Sequence, residues 1–267
     1  MSDIRSFKRT TKINYIEMLE SLLERKGELA EYYHLFHNYS ICNQILLLSQ
    51  FHERGLKPQP VATLKNWNSI GRRVKAGSKA MYMLMPFVKR WTEVDKYGEE
   101  KEYSVMFFSS KNFWFPLSST EGTTTLDKLE SPKFSLKRIL KNLDIEKVDF
   151  EMLNGNCQGY CESDTGNIAI NPIAANPQKT AIHEIAHSLL HCGENKSIHD
   201  DKGNNEAEAE SVALIVSSIL GIADSKTIEN SVGYIKTWMS DQKKDFLMKS
   251  AKRIVNAVDK ILKANKS

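Results

Sequence analysis

Five residues, His183-Glu184-Ile185-Ala186-His187, constrain this chain more than any other stretch of it. Imidazoles four residues apart share one face only if the backbone is helical there. Asn176 and Pro177 can cap and open such a helix, and Gly193 can end it. Ala181, Ile182, Ile185, Ala186, Leu189 and Leu190 form an apolar face. The helix therefore packs against a core while its histidine edge faces a cleft. Two imidazoles so placed can reach one zinc ion. Glu184, one residue on, can take a proton from a water activated by the metal. The motif points to a zinc-dependent metallopeptidase site, with His183 and His187 as ligands and Glu184 as the base.

Such a site needs a third protein ligand. Glu206, Glu208 and Glu210 open the next apolar helix, and Glu206 and Glu210 share a face. Glu206 is expected to complete the metal site, and Glu210 to orient a ligating imidazole; Glu210 is the alternative ligand. Glu208 points elsewhere and reads as a solvated carboxylate near the helix N-terminus. His191 continues the ladder from His187, but three successive turns span ~11 Å of axis and cannot converge on one ion. His191 and the loop residue His199 are therefore not expected to be ligands. Cys157 and Cys161 have no matching second pair and read as small buried thiols. Tyr234 and Trp238, four apart, read as one packed helical face; the alternative is that Tyr234 lends its hydroxyl to a developing oxyanion.

Composition limits the wider class. Hydrophobic residues make up 41% of the 267, enough for a real core. No apolar run approaches the ~18–20 residues of a membrane span. Met1 to Lys12 is polar and basic, without the apolar core of a secretory signal. Four cysteines in this length do not suggest a disulfide framework, which implies a reducing, cytoplasmic setting. The net charge of +4 comes wholly from the first 130 residues. Within them, Arg54 to Trp91 contains nine basic residues and no acidic one. Lys65, Arg72, Arg73, Lys75, Lys79, Lys89 and Arg90 can meet phosphates, and Trp67, Tyr82 and Trp91 offer stacking faces. That combination suits single-stranded DNA held without sequence readout. The competing reading puts Trp67 in a helix–sheet core. Phe113, Trp114 and Phe115 read as core or interdomain contacts.

Periodicity and turn signals predict an α+β chain. Helices are expected at Thr10 to Tyr33, Ser40 to Phe51 and Thr63 to Ile70. A hairpin of Ala80 to Glu93 and Glu102 to Phe115 should turn at Tyr97-Gly98. After the Ser/Thr-rich stretch from Pro116 to Pro132 come a helix near Ser135 to Leu143 and a strand near Val148 to Leu153. A second hairpin is expected around Asp164-Thr165-Gly166, then the motif helix and helices near Asn205 to Leu220, Lys226 to Met239 and Asp241 to Ala264. The expected division is an N-terminal domain over 1–116, a linker over 117–132 and a C-terminal domain over 133–267.

Some of these stretches resemble a known family. IHEIAHSLLH (Ile182 to His191), EAEAESVALIVSSILGI (Glu206 to Ile222) and YIKTW (Tyr234 to Trp238) resemble ArdC-like antirestriction proteins and the wider ImmA/IrrE-type zinc metallopeptidases. YSICNQILLLSQ (Tyr39 to Gln50), TLKNWNSIGRRVKAGSKAMYMLMP (Thr63 to Pro86) and YSVMFF (Tyr103 to Phe108) resemble the ArdC N-terminal single-stranded-DNA-binding domain. The resemblance implies a zincin-like C-terminal domain with a short sheet, Zn2+ as cofactor, and Glu206, three before Ala209, as third ligand. It implies a role in protecting the DNA of a mobile element, with an unknown protein substrate. The alternative is a regulatory metallopeptidase acting on a protein repressor.

Overall fold

The computed structural model describes residues 13–94, 99–126, 129–152, 155–193, 201–223 and 225–266. The expected turn at Tyr97-Gly98, the N-terminal segment Met1 to Lys12 and His199 lie outside them. The chain is α+β and divides into two units, one built on Cys42–Lys128, the other on Tyr15–Ile41 and Leu129–Ser267. Among the described residues no helix is long and apolar enough to cross a membrane.

In the first unit a three-stranded antiparallel sheet has the order β1 (Val61–Thr63), β4 (Glu100–Pro116), β3 (Met81–Val94). The free edge of β3 is closed by amide side chains of α2 (Ile41–Glu53). Asn43 donates to the Leu84 carbonyl at 3.0 Å and accepts from the Leu84 amide at 2.8 Å. Gln50, two turns on, makes the same pair with Tyr82, both at 2.9 Å. Each buried amide thus satisfies a strand edge that would otherwise leave polar groups unpaired. Farther out, β3 and β4 continue as a two-stranded ribbon to Val94 and Glu100.

Thr63 caps the short α3 (Leu64–Ser69) by accepting from the Asn66 amide. This helix delivers Trp67 into the sheet. Its side chain is buried, 2% exposed, and its indole N–H donates to the Phe115 carbonyl at 2.9 Å. The Ser/Thr-rich segment expected as a linker starts as part of this unit. Leu117–Ser119 is a 3₁₀ turn, and β5 (Thr120–Glu121) pairs with β2 (Arg73–Val74). Arg72 braces it, donating to Thr120 Oγ1 at 2.9 Å and to the carbonyls of Gly122 at 3.1 Å and Thr124 at 2.7 Å.

The second unit is mainly helical. Its centre is α6 (Lys202–Ile219), in which every residue from Ser211 to Ile219 is buried. A helix apolar on all sides must be enclosed. Around it stand α5 (Pro177–His191), α7 (Ser225–Asp241), α8 (Lys244–Ala264) and α1 (Tyr15–Phe36). The placement of α1 differs from the expected division at residue 116. Its stripe of Leu19, Leu22, Leu23, Leu29, Tyr33 and Phe36 is buried in this unit, against α6 and α8. An amphipathic helix shows in its sequence that it needs a core, but not which one. Helix α4 (Leu136–Leu143) packs on α8, capped by the Ser135 hydroxyl.

A small sheet of order β6 (Lys147–Val148), β8 (Ile168–Ile170), β7 (Gly159–Cys161) lies on α5. The β7–β8 pair is antiparallel, as the hairpin signal predicts, and turns through Gly166 at φ 77°. The β6–β8 pair is parallel. Gly159 allows a close approach, because a Cβ there would lie 2.9 Å from Thr180 and 3.2 Å from Glu184.

Burial of Trp67 sets an expectation for its loss. Replacement by alanine should cost about 3–5 kcal/mol in chemical denaturation, the range for a large aromatic deleted from a core. A loss under ~1 kcal/mol would mean that the indole is not a core element.

Candidate functional site

Helix α5 begins as its sequence indicates. The Asn176 side chain accepts from the Lys179 amide at 3.0 Å, and Pro177 opens the first turn. Gly193 follows the last residues at φ 56°. One edge of this helix and the first three turns of α6 line a half-open cleft of about 680 Å³, with β7 on its wall.

His183, His187 and Glu206 converge in this cleft, their candidate donor atoms within 4.8 Å of one another. The two Nε2 atoms are 3.1 Å apart. Glu206 Oε2 lies 3.3 Å from His183 Nε2 and 3.6 Å from His187 Nε2. Ligand bonds of ~2.0–2.1 Å in a tetrahedral arrangement leave donor atoms about 3.3 Å apart. The triangle therefore has the dimensions that hold one divalent cation. Its two imidazoles and one carboxylate are a donor set suited to zinc or a similar transition ion rather than to an all-oxygen ion such as calcium. Glu206 is the half-exposed member, at 46% of its side chain, so the cleft stays open on that side.

Around the triangle each histidine has a buried partner. Glu210 Oε2 lies 3.3 Å from His183 Nδ1, while its other oxygen receives Lys179 at 2.6 Å and the Ser231 hydroxyl. His187 Nδ1 faces His191 Nδ1 at 3.2 Å, and His191 Nε2 meets Glu208 Oε2 at 3.0 Å. Glu208 is thus not the solvated carboxylate its position suggested. It is 1% exposed, and Arg253 approaches it at 3.5 Å. The helix turns Glu208 inward because α5 and α8 cover that side of α6.

Electrostatics follow from this packing. Burial lowers the His183 pKa, but Glu206 and Glu210 outweigh it and hold the group at about 9. The His183 and His187 bonds push Glu206 far below the carboxylate range. Burial opposes ionisation of Glu210, yet His183, Lys179 and Ser231 bring it down to about 2. Burial raises Glu184, partly offset by His183 and His187. Burial lowers His191, against the pull of Glu208.

Two further expectations change. Cys161 meets Cys192, Sγ to Sγ 2.9 Å. That contact and burial raise the Cys161 thiol. Cys157 and Cys161 are half-buried on the cleft wall, not in the core. Tyr234 and Trp238 do not form one packed face. Trp238 is buried and donates to Asn204 Oδ1 at 2.7 Å, whereas Tyr234 is 47% exposed. Partial burial and then the charges of Glu206 and Glu210 raise the Tyr234 pKa, which puts its ring within electrostatic reach of the triangle.

The six side chains expected on a nucleic-acid surface divide. Lys65, Arg73 and Lys79 are exposed. Trp67 is in the core and has no face free to stack on a base. The Arg72 guanidinium is engaged by Thr120, Gly122 and Thr124, and Lys75 donates to the Ser118 carbonyl at 3.1 Å. The ribbon supplies what sequence reading undervalued. Its register puts Phe87, Lys89, Trp91, Lys101, Tyr103 and Lys111 on one face, because directly paired residues point the same way. Phe87 and Tyr103 are each 42% exposed, Lys111 lies over the Phe87 ring, and Trp91 stacks on Tyr103 at 5.8 Å.

The His183 shift fixes a sign for metal-free stability. A group raised from 6.5 to about 9 on folding contributes fully below pH 6.5 and loses that contribution as pH rises through about 9. Glu210 works in the other direction, contributing above 4.5 and losing that as pH falls through about 2. The melting temperature of chelator-treated protein should therefore fall between pH 6.5 and 9.5, and a His183→Gln variant should lack that component. An identical pH profile in the two proteins contradicts the assignment.

Residues 22–114 match the family described as the N-terminal domain of anti-restriction factor ArdC. The match starts inside α1 and ends in β4. Two crystal structures of the antirestriction ArdC protein from the R388 plasmid are similar over nearly the whole chain. The metal-free form is 16% identical, with 94% of this chain and 97% of that one covered and a TM-score of 0.47. The Mn(II)-bound form is 17% identical, with 95% and 98% covered and a TM-score of 0.45. No curated protein matches the sequence. Residues 22–114 are therefore similar to the ArdC N-terminal domain.

Proposed function

We propose that the second unit is a metal-dependent peptidase and that the first binds single-stranded DNA, together serving an antirestriction role. The observation that carries the first part is the triangle of His183, His187 and Glu206 at tetrahedral spacing, with Glu184 lining the same cleft. A divalent cation bound there, zinc by donor type, polarises a carbonyl and acidifies water. Glu184 is 7% exposed and its pKa is raised by burial. A carboxylate so tuned accepts a proton from water and returns it to the leaving amine at near-neutral pH. Glu206 and the two imidazoles hold the cation; Glu210, fixed by Lys179 and Ser231, orients His183. Tyr234, exposed beside the triangle, is the side chain free to donate to the developing oxyanion. The edge strand β7 and Gly159 face α5 across the cleft, where an extended peptide can add as a strand.

The DNA reading rests on the exposed cations Lys65, Arg73 and Lys79 and on the ribbon face. Lysines that meet phosphates beside aromatic rings that meet bases form the usual surface for an unpaired strand. Trp67 supports this unit from its core, and Arg72 and Lys75 are engaged by backbone carbonyls at its surface. The alternative, a regulatory peptidase acting on a repressor, shares the cleft but has no use for the ribbon face.

Purified protein should carry about one zinc per chain, and His183→Ala, His187→Ala and Glu206→Ala should each lose it. Glu184→Gln should keep the metal and fold and lose peptide hydrolysis by at least ~100-fold, the scale of a general base. Metal retained in all three ligand variants, or full hydrolysis in metal-loaded Glu184→Gln, refutes the peptidase reading. Single-strand affinity should fall with salt along a log–log line. Joint replacement of Lys89, Lys101 and Lys111 by Gln should flatten that line by roughly two units, at ~0.7 counterion per contact. Unchanged salt dependence, or preference for duplex, favours the regulatory alternative.

A further inference from the structure

We propose that His191 and Glu208 are positioning residues for the metal centre, fixing His187 in the tautomer that carries its proton on Nδ1 and leaves Nε2 bare. The inference rests on the metal reading above and adds to it two residues that touch no ligand position.

The proton order follows from the contacts. Glu208 is buried beside Arg253, which is itself held by the Leu190 carbonyl. A carboxylate oxygen is the natural acceptor for an imidazole N–H. His191 Nε2, 3.0 Å away, must donate to it. His191 is buried, where a charged ring is disfavoured, and a neutral imidazole that donates from Nε2 carries its lone pair on Nδ1. The atom facing that lone pair is His187 Nδ1, at 3.2 Å. His187 therefore places its proton there. Its Nε2, 3.1 Å from His183 Nε2 and 3.6 Å from Glu206 Oε2, turns an unprotonated nitrogen into the triangle. Which ring nitrogen binds a metal is set by the bond the other one makes.

The same geometry accounts for two features of the sequence. A histidine ladder at 183, 187 and 191 cannot converge on one ion, but it can pass a hydrogen bond along one helix face. The three glutamates at 206, 208 and 210 then have separate tasks. Glu206 faces the ion. Glu210 holds His183 directly at 3.3 Å, and Glu208 holds His187 through one intervening imidazole. His191 exposes 6% of its surface and Glu208 1%, so water cannot replace either as partner.

Two measurements on the full chain test this. Long-range 1H–15N imidazole spectra of metal-free wild-type protein at pH 7.5 should show His187 protonated on Nδ1 and bare on Nε2. Zinc affinity, measured by competition with a chromophoric chelator, should fall about 10–100-fold in Glu208→Met and in His191→Phe. Glu208→Gln, which keeps an acceptor oxygen, should bind nearly as wild type does. A His187 protonated on Nε2 in wild-type protein overturns the proposal. So does undiminished zinc affinity in Glu208→Met and His191→Phe. If Glu208→Met fails to fold, the wild-type spectrum and the His191→Phe affinity still decide. If wild-type protein binds no zinc, the metal reading fails, and the spectrum still reports the tautomer separately.

Discussion

The apposition of α5 and α6 is the contact on which the rest of the second unit depends. Every residue of α6 from Ser211 to Ile219 is buried, and α1, α5, α7 and α8 gather around it. Its first three turns carry three carboxylates instead. Because α5 must lie along α6 to bury Ile182, Ile185 and Ala186, its histidine edge is brought onto those carboxylates. The site is therefore a by-product of core packing: the hydrophobic face sets the distance, and the polar edge occupies the cleft left beside it. Gly159 serves the same end from the sheet side, since a Cβ there would press on Thr180 and Glu184.

Much of this was legible before any coordinates. The cap at Asn176, the proline after it and the glycine at 193 mark α5 nearly to the residue. The four-residue spacing selects His183 and His187, and face-sharing selects Glu206 and Glu210 as the pair turned toward them. The hairpin at Asp164-Thr165-Gly166 is equally readable. What periodicity cannot report is which partner covers each remaining face. Glu208 read as solvated because a carboxylate near a helix start usually is; the deciding fact is Arg253, forty-five residues downstream, lying over it. For the same reason His191 read as a bystander. Trp67 sat in a basic tract and could be a stacking platform or a core residue; the carbonyl of Phe115, far along the chain, decides between them. The allocation of α1 to the second unit belongs to the same class of nonlocal fact.

The first unit shows a different economy. Its sheet has a free edge on β3, and such edges invite unwanted pairing. Near the core, Asn43 and Gln50 of α2 imitate a neighbouring strand and close that edge. Beyond Met85 nothing among the described residues does so, and the ribbon keeps Phe87, Val88, Val105 and Met106 substantially exposed. Apolar residues kept in water along a paired ribbon contribute little to stability and are better understood through what they touch. Of these, Phe87 and Val105 share a face with Lys89, Lys101 and Lys111, and the proposed DNA reading rests on that face.

The triangle of His183, His187 and Glu206 balances part of its own charge with a proton. Two carboxylates and two imidazoles within a few ångströms would repel or lie unpaired if all were in their solution states. Instead His183 retains a proton up to about pH 9, and Glu206 and Glu210 stay ionised around it. One positive charge on His183 thus offsets part of the acidity of the cleft. His187 instead has the buried His191 and Glu208 standing behind its Nδ1. The two histidines of the motif, equivalent in the sequence, are made inequivalent by what stands behind them, and that difference lies largely on α6 rather than in the five residues of the motif.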